Sequence, residues 1–245
     1  MTHQSDLPNP ETEEPCIAEV LRCGQITPLG QIANSSNATF LVEVTHDDVQ
    51  HLAVYKPEDG ERPLWDFEPG LYRREVAAYM LSEAIGWHLV PTTVIREDGP
   101  LGIGSLQLFI DHDPAKHYFV LHAEHPETHE QLRRLALFDL VINNADRKAG
   151  HVLHAADQRL WGIDHGLCCA APTKLRTVMW DFAGEPIDDQ LLEDLAPLAD
   201  EVPAELTGLL SEHEISALQD RVADLLLLRR YPNDPSGMRF PWPLV

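Results

Sequence analysis

The sequence changes its hydrophobic rhythm partway along. Before about residue 110 the apolar runs are short and β-rich, as in Phe40 to Val44 and Leu52 to Lys56, a pattern of half-buried strands. One helix interrupts them over 71–85, where Val76, Tyr79, Met80 and Ala84 form a stripe that Gly86 ends. After about residue 128 the spacing becomes helical. Leu132, Leu135, Phe138 and Ile142 share one side of a helix expected over 128–142. A second helix, over 211–230, opens with the capping pair Ser211 and Glu214 and repeats Ile215, Leu218, Val222 and Leu225 at core spacing. Further strands are expected at 90–95, 105–110, around Val152 and Leu153, and at 160–163. The remainder of 16–56 reads as strand, apart from a turn over 24–39 that carries Gly24, Gly30 and a polar cluster. The stretch 111–130, rich in His, Pro and Asp, reads as a connection. The expected organisation is α+β: a disordered acidic arm at 1–14, a β-rich lobe at 15–110 and a mainly helical lobe at 111–245 with a helical C-terminal third.

Charge narrows the function. The chain has 245 residues with 18 Lys and Arg against 40 Asp and Glu, a formal net charge of −22. Such a surface repels phosphate backbones and anionic headgroups. Nucleic acid is therefore not an expected partner, and stable membrane association is not expected either. No apolar run approaches the roughly 20 residues a membrane helix needs. The sequence does not open on a cationic segment followed by an apolar core, so the expected compartment is the cytoplasm. Four cysteines are too few for a disulfide scaffold.

The stretch from Phe138 to Leu153 is where chemistry concentrates. An apolar helix runs into a polar loop holding Asp146, Arg147, Lys148 and His151, and then into a strand. Eighteen positions beyond Asp146 stands Asp164, at the end of an apolar run and just before His165 and Gly166. Two acids at loop and strand edges with a nitrogen ligand between them can hold a divalent cation and leave one acid free as a base. Phosphoryl transfer needs such a set, because its catalysis is positioning and charge neutralisation.

These residues resemble the catalytic and metal-binding loops of phosphatidylinositol 3/4-kinases, relatives of the protein-kinase fold. Asp146-Arg147 matches the family's Asp-Arg element, and Asp164-His165-Gly166 matches its Asp-Phe-Gly-like site. In the other half, the strand Ala53-Val54-Tyr55-Lys56-Pro57 is similar to the family's phosphate-contacting lysine strand, and Glu75 falls where the pairing helix glutamate belongs. The resemblance covers about residues 24 to 170 and implies a two-lobed protein-kinase-like fold binding ATP with Mg²⁺ or Mn²⁺. It assigns the catalytic loop to Asp146, Arg147 and Lys148, with Asp146 addressing the acceptor hydroxyl. Lys56, Glu75 and a turn with Ser35, Ser36 and Asn37 would hold the nucleotide, while the Gln107–Asp111 segment, with Phe109 and Asp111, would read adenine. Asp164 and His151 would hold the metal. The turn lacks the family's glycine pattern, and His151 replaces an Asn ligand. Imidazole is softer than an amide oxygen, so Mn²⁺ is expected to serve better than it does in a typical kinase.

The acceptor implied is a hydroxyl of a soluble polyol or a protein, since the charge disfavours anionic membranes. Two other products of the same fold are a nucleotide-binding pseudokinase that regulates a partner and a protein nucleotidyltransferase. A metal-dependent hydrolase built on His112, His117, His122, His125 and His129 fits least, because their spacing makes no compact ligand pair. Cys168 and Cys169 read as small packing residues near the cleft floor.

Overall fold

The computed structural model describes residues 15–33 and 35–245. The arm at 1–14 and Asn34 of the polar cluster lie outside the described residues. Strands β1 (Gln25–Gln31), β2 (Phe40–His46), β3 (Val49–Pro57), β4 (Thr93–Gly99) and β5 (Gly102–Leu108) form one antiparallel sheet in the order β1-β2-β3-β5-β4. Helix α1 (Ile17–Cys23) covers one face, where Val20 and Leu21 pack with Val42, Val44, Ala53, Tyr55, Val94 and Leu106. Side chains alternate along a strand, so with Ala53 and Tyr55 committed to this core, Lys56 points to the opposite face. Helix α2 (Leu71–Ile85) lies there.

Register keeps Lys56 in place. It pairs with Ser105 across the sheet, and Pro57 pairs with Gly104. A Cβ on Gly104 would collide with the Lys56 carbonyl and come within 2.7 Å of the Pro57 Cα. Both are backbone atoms with little room to give. Gly104→Ala is therefore expected to cost about 1–3 kcal/mol, read as a lower urea midpoint.

Helix α2 has Gly70 at its N-cap and ends on Gly86 at φ 79°, whose N–H donates to the Glu83 and Ser82 carbonyls. Only glycine takes that left-handed cap without penalty. It buries both flanks. One side packs on β4 and β5, while Ala77, Ala78, Leu81 and Ile85 join the second core, which fills the helical half. That half comprises α3 (Tyr118–Glu124), α4 (His129–Val141), the small sheet of β6 (Val152–His154) and β7 (Leu160–Gly162), α5 (Asp189–Asp200) and α6 (Glu212–Leu228). The Ser211 and Glu214 capping box at α6 is formed in both directions.

Four sequence readings need correction. Residues 17–23 are helix rather than strand, because two turns are too short to display a helical period. Within 24–39, residues 25–31 form an edge strand instead of turn. Its side chains are almost all exposed, so no alternation marks it, and Pro28 and Gly30 sit at a register shift as edge positions permit. The connection at 111–130 contains α3, anchored by buried Tyr118 and Leu121. Strand β4 begins at Thr93, after Pro91, and runs on through Gly99. The Pro-rich end packs back on the helical half: Thr177 N–H and Trp180 Nε1–H donate to the Arg239 carbonyl, and Ala149 N–H donates to that of Leu244. Among the described residues no helix is long and apolar enough to cross a membrane.

Candidate active site

A cavity of about 270 Å³ opens between the sheet and the helical half. Its wall brings together Ser35, Ser36, Asn37, Lys56, Glu75, Asp146 and Asp164 from distant parts of the chain. The Lys56 ammonium pairs with Glu75 Oε1 and with Asp164 Oδ1 at 2.7 Å. Burial alone would depress Lys56, but Asp164 and Glu75 outweigh it and its pKa is raised. The same contact acts in reverse on Asp164. Its pKa is held far below the usual carboxylate range by the Lys56 charge, against the opposing effect of burial.

Glu75, only 3% exposed, does two jobs. One oxygen holds Lys56 and the other accepts from the His165 backbone N–H at 2.9 Å. The lysine strand is thereby tied to the Asp164 loop through a single side chain. Asp164 itself has φ 61°, a left-handed conformation that Asp tolerates better than most residues. Neighbouring contacts hold it there. Ile163, just before it, accepts from Arg147 Nη1 at 2.9 Å, and His165, just after, is held by Glu75.

Asp146 faces the cavity from the loop between α4 and β6, with the Lys148 ammonium on its Oδ2. Burial raises the Asp146 pKa, and Lys148 pulls the other way. A carboxylate with a raised pKa is a better proton acceptor than a free one. His151 Nε2 lies 3.3 Å from Asp164 Oδ2. Burial lowers the His151 pKa to about 4, opposed by Asp164, so its ring is neutral at pH 7 and able to donate a lone pair.

Arg147, unlike Asp146, does not line the cavity. It is fully buried and grips Asp139 with Nε and Nη2, at 2.8 and 2.9 Å. It also donates to the carbonyls of His151 and Ile163, and its Nη2 lies 2.7 Å from His165 Nε2. An arginine only donates, so His165 Nε2 must be unprotonated. Burial, reinforced by the Arg147 charge, drives the His165 pKa well down, in accord. Arg147 is thus the pin joining α4, the Asp146 loop and the Asp164 loop.

Phe109 and Asp111 also stand apart, since neither lines the cavity. The Phe109 N–H continues the sheet ladder by donating to Leu52 O at 2.9 Å, which withdraws it from any ligand, and Asp111 is exposed. The Ser35–Asn37 turn does line the cavity. Ser35 Oγ bonds Thr39 Oγ1, and Asn37 Oδ1 accepts from Arg62 N–H. Arg62, Glu61 and Leu64, from the segment between β3 and α2, complete that wall, and sequence reading passed over them. It also passed over Asp139 and Asn144. Asp139 had a visible signal, an acid set among Leu135, Phe138 and Ile142 on a helix otherwise apolar there. Asn144 gave none. It donates to Asp139 Oδ1 and accepts from Asp146 N–H.

Among the described residues no cluster of three or more His, Cys, Asp or Glu side chains is poised as a full metal shell. Asp164 and His151 are the donors available. One or two protein ligands suffice for a cation whose remaining positions are filled by nucleotide phosphates and water, so the pair fits a nucleotide-bound divalent ion.

A five-stranded antiparallel sheet with a bracing helix, set over a helical half with the cleft between them, is the two-lobed kinase-like fold. Two solved structures share it: the Helicobacter pylori proinflammatory kinase CtkA (TM-score 0.50, 12% identity, 86% of this chain and 94% of that one) and hydra Fam20 with sugar (TM-score 0.55, 13% identity, 86% and 87%). The chain belongs to the family of Protein Rv2133c from Mycobacterium tuberculosis, to which it is 44% identical over 91% of its length and 94% of the relative's. It is also 30% identical, over 56% of its length, to phosphatidylinositol 4-kinase gamma 4 of Oryza sativa subsp. japonica, and it spans 30% of that protein. No protein-family model matches the chain.

Proposed function

We propose that this protein is an ATP-dependent phosphotransferase acting on a hydroxyl of a soluble polyol or a protein. The observation that carries the reading is Lys56, held by Glu75 and Asp164 at a cavity that Asp146 also lines. Glu75 orients the Lys56 ammonium toward the nucleotide's α- and β-phosphates. The Ser35, Ser36 and Asn37 turn closes over those phosphates in place of a glycine loop. Asp164 and His151 would hold Mg²⁺ or Mn²⁺, which would neutralise charge on the phosphates when bound. Asp146 takes the proton of the acceptor hydroxyl. That oxygen bonds to the γ-phosphorus, the bond from the γ-phosphorus to the β–γ bridging oxygen breaks, and a phosphate ester and ADP result. Lys148, on the far oxygen of Asp146, keeps that carboxylate ionised until the proton arrives.

The net charge of −22 supports a soluble acceptor over one in an anionic membrane. The test is ATP turnover by the purified protein with Mg²⁺ and with Mn²⁺. Because a neutral imidazole replaces an amide oxygen beside Asp164, turnover is expected to be roughly fivefold faster with Mn²⁺, and His151→Asn should reverse the preference. Equal or better activity with Mg²⁺ in the wild type would remove the assigned role of His151. ATP binding without turnover in either metal would leave a pseudokinase.

A further inference from the structure

The segment between β3 and α2, whose Glu61, Arg62 and Leu64 line the cavity, meets the helical half at Asp66 and Phe67. Phe67 is buried against Leu71, Ala145 and Ala170. Next to it, Asp66 Oδ2 lies 3.4 Å from Lys174 Nζ and 3.9 Å from Arg176 Nη2. Lys174 also donates to the Asp66 carbonyl and sits 4.2 Å over the Phe67 ring. Among the described residues Asp66 is the one carboxylate within 4 Å of either cation. Arg176 is the weakly held member, beyond hydrogen-bond distance from Asp66 and with its side chain 45% exposed.

The place of this cation pair is informative. Arg176 N–H donates to Asn144 O and Arg176 O accepts from Arg147 N–H, so its backbone is bonded to residues on both sides of Asp146. Its charge is one of those acting on the Asp146 carboxyl. In a chain with 40 acidic and 18 basic residues, Lys56 lines the cleft, Lys148 bonds Asp146 in its wall, and Lys174 with Arg176 meets Asp66 on the segment whose Glu61, Arg62 and Leu64 line it.

We propose that Lys174 and Arg176 form an anion subsite on the acceptor side of the cleft, which Asp66 fills in this structure, and that the acceptor is a small phosphomonoester whose phosphate displaces Asp66. This rests on the phosphotransferase reading for the word acceptor, though the subsite stands on its own geometry. A phosphate dianion balances both cations where a carboxylate balances one, and a guanidinium binds phosphate through two parallel hydrogen bonds. Bound there, the ester would carry its free hydroxyl next to Asp146. Departure of Asp66 would also loosen the segment bearing Glu61, Arg62 and Leu64, so acceptor entry and cavity opening would be one event.

The experiment titrates the whole chain with inorganic phosphate at constant ionic strength, alone and with a non-hydrolysable ATP analogue and Mn²⁺ present. Asp66→Asn, which removes the internal competitor, should tighten phosphate binding roughly tenfold, and Arg176→Gln should weaken it roughly tenfold. Arg176 is half exposed, so its variant keeps the fold, which a thermal melt verifies. Acetate at the same concentration should not compete. Equal phosphate affinity in wild type, Asp66→Asn and Arg176→Gln overturns the subsite, and so does acetate competing as well as phosphate. The ATP-analogue thermal shift is read separately. Its absence removes the phosphotransferase reading without touching the phosphate result.

Discussion

Arg147→Met should lower the stability of this protein by about 3–5 kcal/mol, the cost of leaving one buried charge without its partner. At this chain length that amounts to a fall in Tm of roughly 10 °C or more. Arg147 and Asp139 are both fully buried and bonded in a two-point pair, so the methionine variant strands a carboxylate inside the core. It also leaves the carbonyls of His151 and Ile163 and the lone pair of the fully buried His165 without the arginine that bonds them. The companion variant Asp139→Asn with Arg147→Met removes both charges. It should recover a large part of the loss, because the penalty lies in the unpaired ion rather than in the missing attraction. Thermal melts of the two variants decide the matter. If the double variant is no more stable than the single one, the ion pair is not what joins these three segments.

The second large effect is on chemistry. Asp164→Asn should reduce phosphate transfer by about 10³-fold, on the scale of removing a preorganised electrostatic group from an active site. The fold should persist, for reasons visible at the site. The Asp164 side chain is 43% exposed, Lys56 keeps Glu75 as a partner, and asparagine accepts the same left-handed backbone. The measurement is single-turnover transfer from labelled ATP, with the melting temperature as control. Wild-type turnover in the asparagine variant, with ATP still bound, would rule out Asp164 as the metal-bearing acid. Lys56→Met makes a useful contrast. It strands Glu75, which is far more buried than Asp164, and should lose stability as well as nucleotide affinity.

How much of the site could be read beforehand depended on whether a residue's role is local. Gly86 ends α2, and Ser211 with Glu214 starts α6, because caps are settled within one turn of chain. The apolar stripe of α4 marks which side is buried, and Leu132, Leu135, Phe138 and Ile142 all are. Arg147 shows where that kind of reading runs out. A charged residue in a polar loop has every sequence mark of an exposed one, and only the presence of Asp139 one helix earlier turns it into an internal strut. Helix α1 is similar, for its seven residues are helical because the sheet offers Val20 and Leu21 a face to cover. Phe109 was placed by resemblance to the family's adenine-reading segment, but the sheet's need for one more ladder bond had the stronger claim on its N–H.

What the amino-acid order determined alone is the inventory: a strand-rich half and a helix-rich half, the caps between elements, an acidic surface, and a handful of reactive side chains in short polar loops. Which of those side chains meet was decided by tertiary structure. Lys56 reaches Asp164 across 108 positions and Glu75 reaches His165 across 90. The physical reason is that hydrophobic periodicity tells a segment to bury one face without saying against what. The partners follow only when the core between the sheet and α1 and the core that α2 shares with the helical half both close, and bring their polar edges to the same cleft.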